Sequence, residues 1–122
     1  MTPEEMKRRT KTFALRVIAV TESLPKTRTA QTIGGQLLRA GTSVGANYRA
    51  ACRARSSADF VARMGVVEEE ADESAYWMEI LVEAGIVSEK RLAALIREAY
   101  ELVAIAAASG NTARGTGGLR RK

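Results

Sequence analysis

The chain's 122 residues hold 19 Lys and Arg against 14 Asp and Glu, 46% apolar residues, one Cys and no His; this is one domain with a real core and a net charge of +5. The lack of His excludes the usual catalytic triads, mixed Cys and His zinc sites and the Glu-x-x-His di-iron motif of helical bundles, and the single Cys52 excludes an intrachain disulfide. The longest apolar run, residues 103–108, is far short of the roughly 20 residues that span a bilayer, and residues 1–16 lack a signal-like apolar stretch, so a cytoplasmic protein with no membrane partner is expected.

Thr2-Pro3-Glu4-Glu5 reads as a capping box, with Thr at N-cap, Pro at the first helical position and Glu5 reaching back to the cap. The first helix carries Met6, Phe13, Val17, Val20 and Leu24 at steps of seven, four, three and four until Pro25 stops it. Thr27 or Thr29 caps a second helix with the stripe Ile33, Leu37, Ala40, Val44, Asn47 and Ala51, ending near Arg55. Ser56 or Ser57 caps a third, in which Phe60, Met64, Val67, Ala71, Ser74, Met78, Leu81 and Gly85 alternate steps of four and three, as coiled coils do. Gly85 suits a left-handed C-cap, Ser88 caps again, and Leu92, Leu95, Ala99, Leu102 and Ala106 mark a fourth, Ala-rich helix. No segment alternates with period two, and short links join long amphipathic helices. The expected fold is therefore all-α, an antiparallel up-down-up-down four-helix bundle over residues 1–108, followed by a disordered basic tail over 109–122.

The second helix departs from ordinary bundle chemistry. Each interior Gly costs about 0.5 to 1 kcal/mol relative to Ala, which close packing must return. Gly34, Gly41 and Gly45 fall to one side of Leu37, with Cys52 beside them, and form a smooth flank for close approach of another helix, from this chain or from another subunit. Cys52 reads as a small core residue. Asn47 lies on the core stripe, where an unpaired amide costs on the order of 1 to 3 kcal/mol; it must be paired, and is read as fixing register or oligomeric state.

The third helix is apolar on more than one side. With Ala71 at the core centre, Trp77 lies roughly 120 degrees away and Ile80 roughly opposite, so the helix is either central in the bundle or uses Tyr76, Trp77 and Ile80 as an oligomer interface; the interface is favoured. Glu68, Glu69, Glu70, Asp72, Glu73, Glu79 and Glu83 occur there without one base, whereas Arg39, Arg49, Arg53, Arg55 and Arg63 surround only Asp59. Two arrangements follow. The third helix of one subunit pairs with the second helix of its neighbour in a ring, or the charges form solvated faces and intrachain pairs. Glu69 and Glu73, one turn apart with no further ligand motif, read as a hydrated face, and no metal, cofactor or small-molecule substrate is expected.

Leu24-Pro25, then Gln36-Leu37-x-Arg39-Ala40-Gly41-Thr42-Ser43-Val44-Gly45-Ala46-Asn47, then Arg53-x-Arg55-Ser56, Asp59-Phe60 and Glu73-x-x-x-Trp77 resemble the four-helix bundle protein family, also called the 23S rRNA intervening-sequence protein family. The resemblance covers roughly residues 13–85. It implies a four-helix bundle that assembles as a homopentameric ring. Related bundles include the accessory variability protein of diversity-generating retroelements, a basic pentamer that works with a reverse transcriptase and nucleic acid. Many members carry Glu three residues beyond the Asn, where this chain has Ala50.

The resulting expectation is a nonenzymatic oligomer, a pentamer, that binds RNA or DNA backbone through Lys7, Arg8, Arg9, Lys11, Arg39, Arg49 and Arg53, with Gly41, Gly45 and Asn47 structural. Arg39, Arg49 and Arg53 lie roughly 120 to 200 degrees from Leu37 on the helical wheel and so point outward. Arg120, Arg121 and Lys122 add a further basic group. The alternative is a protein-protein interaction scaffold, built on the Trp77 patch and the acidic helix, without nucleic-acid binding. No nucleophile and base pair can be named for an enzyme, and no interleaved aromatics suggest base readout of a single strand.

Overall fold

A computed structural model describes residues 1–120, with side chains through 115. It has four helices, α1 (Pro3–Glu22), α2 (Arg28–Cys52), α3 (Ser57–Glu83) and α4 (Glu89–Arg120). Among the described residues there is no strand. Consecutive helices pack extensively, and α1 meets α4 more sparsely to close the bundle.

The ends of the helices follow from local chemistry. Thr2 Oγ1 accepts from Glu5 N–H at 3.1 Å, Thr27 from Ala30 at 3.2 Å, Ser56 from Asp59 at 3.0 Å and Ser88 from Arg91 at 3.3 Å. Of the expected capping box, the bond to Thr2 is present, and the return bond from the Glu5 carboxylate is not among the hydrogen bonds of the described residues. α3 ends in a Schellman turn. Ile86 N–H reaches Leu81 C=O at 2.9 Å, Gly85 N–H reaches Val82 C=O at 3.0 Å, and Gly85 has φ +75°, a conformation that favours glycine.

Phe13, Val17, Leu37, Val44, Met64, Val67, Met78, Leu81, Leu92 and Leu102 share one core. The α1 and α4 stripes are buried as the periodicity predicts. In α2 the stripe needs correction. Asn47 is only half-buried, and Tyr48 takes the core position, so the seam steps from Val44 to Tyr48 to Ala51. Steps of three and four are equally compatible with a helical face, which is why spacing alone chose the wrong neighbour. Asn47 is indeed paired, but within its own helix, donating from Nδ2 to Ser43 C=O at 2.8 Å.

The glycine flank faces α1 of the same chain. A Cβ on Gly34 would lie 2.7 Å from Leu24 Cδ1, one on Gly41 2.8 Å from both Val17 γ-carbons, and one on Gly45 3.0 Å from Thr10 Oγ1. These pairs run antiparallel and bring two backbones together where larger residues would hold them apart. Thr10, buried in this contact, donates its hydroxyl to Met6 C=O at 2.9 Å. Cys52 is not a core residue; it is exposed at the end of α2.

α4 also differs from expectation, continuing past Ala108 to Arg120 instead of giving way to a disordered tail at 109. Ala106, Gly110 and Ala113 keep the step of four and three, and Gly110 is buried, its Cβ position 3.9 Å from Met64 Cβ. Residues this small extend a packing face without an apolar stripe to announce it. The side chain of Arg120, together with Arg121 and Lys122, lies outside the described residues.

Candidate nucleic-acid interface

The bases fall into two groups according to whether the chain's own carboxylates hold them. Arg9 forks onto Glu98 at 2.6 and 2.7 Å and touches Glu101 at 3.1 Å, linking α1 to α4. The hydrogen-bonded Glu98 carboxylate keeps that guanidinium charged even beyond its ordinary range, against the opposing effect of burial. Arg39 reaches from α2 to Glu70 on α3 at 3.0 Å and to Glu73. Arg63 binds Asp59 at 3.1 Å one turn away. Lys7 has only a loose contact with Glu4 at 3.8 Å. Arg8, Lys11, Arg49, Arg53 and Arg55 are exposed and make no ion pair among the described residues.

Lys7, Lys11, Arg49 and Arg55 border two depressions that share Lys7. A groove of about 210 Å³ between α1 and α2 has Lys7, Lys11 and Arg49 at its sides and Ala14, Gly45 and Ala46 along its floor. The Gly45–Thr10 contact lets its two walls sit close together. Lys7 also lines a larger cleft of about 730 Å³ at the end of the bundle, where the start of α1, the end of α2, the start of α3 and the later part of α4 meet. Arg55, Ser56, Ser57, Phe60, Tyr48 and Cys52 face it, and among the described residues no carboxylate does. Burial, and then the adjoining Cys52 thiol, push the Tyr48 phenol above its ordinary range, so it is a neutral hydroxyl at physiological pH. Sequence reasoning missed Tyr48 and Phe60 as site residues. The available signal was the short link from Cys52 to Ser57, which carries the end of α2 directly into the start of α3.

On α3, Tyr76 is 52% exposed and meets Trp77 edge-on at 5.0 Å between ring centroids. Trp77 and Ile80 are half-buried; Trp77 packs against the core while its indole N–H donates to Glu73 at 3.4 Å. Glu73 thus serves Arg39 and Trp77 of its own chain. Sequence reasoning also passed over Leu15, Ile18 and Leu38, exposed apolar residues on α1 and α2. Tyr100 donates its hydroxyl to Glu79 at 2.7 Å, which with partial desolvation pushes the phenol up to about 12.

Residues 4–108, nearly the whole bundle, match the family described as 23S rRNA-intervening sequence protein. The chain belongs to that family. As a 23S rRNA-intervening sequence family bundle it is also similar to a solved structure from Bacteroides thetaiotaomicron, described as a protein of unknown function from the S23 ribosomal protein family. The two are 27% identical, the match covers 91% of this chain and 99% of that one, and the TM-score is 0.84. Comparison with proteins of curated function gives no match. No described helix is long and apolar enough to cross a membrane.

Proposed function

We propose that this bundle is a nonenzymatic homo-oligomer, a pentameric ring, that binds the phosphate backbone of RNA or DNA through Lys7, Lys11 and Arg49, flanked by Arg8 and Arg53. The observation that carries this reading is the separation between committed and uncommitted bases. Arg9 and Arg39 are held by the chain's own acids, while Lys7, Lys11 and Arg49 line the α1–α2 groove and Arg8 and Arg53 are exposed with no ion pair among the described residues. Unneutralised Lys and Arg at a shallow groove attract a polyanion, and phosphate contacts of this kind carry little sequence information.

Two exposed surfaces support assembly. Leu15, Ile18 and Leu38 lie on the α1–α2 side, and Tyr76 is exposed on α3 beside Trp77, Ile80 and the acidic Glu69 and Asp72. A basic apolar face meeting an acidic apolar face forms a heterologous contact, which closes into a ring when the rotation permits. Such a ring repeats each protomer's +5 charge around the nucleic acid.

The test is fluorescence anisotropy with generic RNA and duplex DNA from 50 to 200 mM salt, alongside light scattering on a sizing column. A mass near five chains of 13.2 kDa is expected. Each phosphate contact contributes about −0.9 to the slope of log K against log salt for duplex DNA, so replacing Arg49 and Arg53 together by Ala should flatten the slope by about 2 for each protomer that engages the strand. No binding at the lowest salt would remove the nucleic-acid reading and leave the interaction scaffold.

A further inference from the structure

Resting on the nucleic-acid reading above, we infer that the cleft at the end of the bundle takes one unpaired nucleotide, so that the protein selects strands with single-stranded ends or interruptions over blunt duplex. The groove between α1 and α2 offers only about 210 Å³, less than small-ligand sites usually have. The end cleft, at about 730 Å³, falls in their size range.

Its lining suits a nucleotide in parts that the sequence keeps far apart. Phe60, half-buried at the start of α3, offers an apolar ring on which a base can stack. Tyr48, buried at the end of α2 beside the Cys52 thiol, lines the cleft and carries a neutral hydroxyl that can donate to a base edge. Lys7 and Arg55 supply the positive charge for the attached phosphate. Two acids stand near this rim without lining it: Glu4, in loose contact with Lys7 at 3.8 Å, and Asp59, which already receives Arg63 Nε at 3.1 Å and the Arg55 N–H at 3.4 Å. Ser109 and Ala113, on the part of α4 that the sequence left unstructured, form a wall of small residues.

Lys7 borders both the groove and the cleft, which gives a strand a continuous path. Its backbone follows the groove past Lys11 and Arg49, and its terminal or unpaired base turns into the cleft. A base within a duplex would first have to leave its stack, at a cost of a few kcal/mol, whereas an unpaired base enters freely.

Anisotropy measured on the whole protein with a blunt duplex, the same duplex with a three-nucleotide overhang, and the single strand, each as RNA and as DNA, tests this directly. At least tenfold tighter binding of the overhang duplex than the blunt one is expected. Phe60→Leu, which keeps apolar volume against the core, should bring the ratio to within twofold while blunt-duplex affinity and its salt slope stay unchanged, and Arg55→Gln should weaken overhang binding more than blunt-duplex binding. In wild-type protein, 2-aminopurine placed in the overhang should lose fluorescence severalfold on binding, a readout that does not depend on either variant folding. Equal affinity for blunt and overhang duplexes, or unchanged 2-aminopurine emission, would overturn the cleft assignment and leave backbone binding standing. Failure to bind any of the strands would overturn the parent reading as well. Displacement of the overhang by a polyglutamate peptide bound with the same Phe60 dependence would assign the cleft to a protein ligand and overturn the proposal.

Discussion

Gly41→Ala should destabilise the bundle even though alanine is the better helix former. Relief of glycine's backbone freedom favours the variant by about 0.5 to 1 kcal/mol. Against that, the new Cβ would lie 2.8 Å from both γ-carbons of Val17 and 3.1 Å from its Cβ. Val17 is fully buried and branched at the β-carbon, so it has no free rotamer into which to retreat. Overpacking of this kind costs about 1 to 3 kcal/mol, leaving a net loss of about 1 kcal/mol. Gly35 on the same helix is the control: a Cβ there meets nothing within 4 Å, so Gly35→Ala should gain about 0.5 to 1 kcal/mol. Urea unfolding followed by circular dichroism at 222 nm, at one protomer concentration because assembly shifts apparent stability, should place the two variants on opposite sides of wild type. If Gly41→Ala is as stabilised as Gly35→Ala, α1 does not rest on α2 through its glycines and the packing argument fails.

Arg9→Met should lower stability by about 1.5 kcal/mol in the same assay, the lower end for a charge-assisted pair partly open to solvent, while leaving nucleic-acid affinity within twofold. Arg8→Ala should do the reverse, weakening low-salt binding several-fold with stability unchanged; exchanged effects would show that the uncommitted bases were wrongly chosen. Tyr76→Glu should convert the oligomer toward monomer on a sizing column with light scattering, and an unaltered mass would take α3 out of the interface. The Tyr100 phenol, held protonated by its bond to Glu79, should titrate near pH 12 by absorbance at 295 nm, and Tyr100→Phe should remove that step. Its folded value lies above the ordinary 10, so the stability it contributes is full below pH 10 and is lost as pH rises to about 12; a Tyr100 midpoint at 10 would contradict the hydrogen bond.

Helix number, caps and most of the core were legible because they depend on chemistry repeated every three or four residues. Phe13, Met64, Leu92 and their neighbours keep that spacing, and Gly85 ends α3 in the conformation glycine favours. The misreadings arose where size or alternative spacing decided the matter. Asn47 and Tyr48 fit the stripe equally well until the neighbouring helices select one, and the small residues of late α4 pack without apolar bulk. For the site, sequence located the basic segments but not their allegiance. Arg9 and Glu98 lie on the first and last helices, and only the closed bundle shows that this arginine is occupied while Arg8 beside it is not. Tyr48, Phe60 and Ala113 become neighbours for the same reason, through tertiary closure.

Four antiparallel rods bring the later part of α4 back to the level at which α1 set out, so anything fused ahead of Pro3 emerges beside the charged rim. Affinity tags, dyes and tethers at the N-terminus would therefore shade the surface under study. The opposite pole, at the turn through Pro25 and Lys26 or the bend at Gly85, offers attachment points that leave it uncovered.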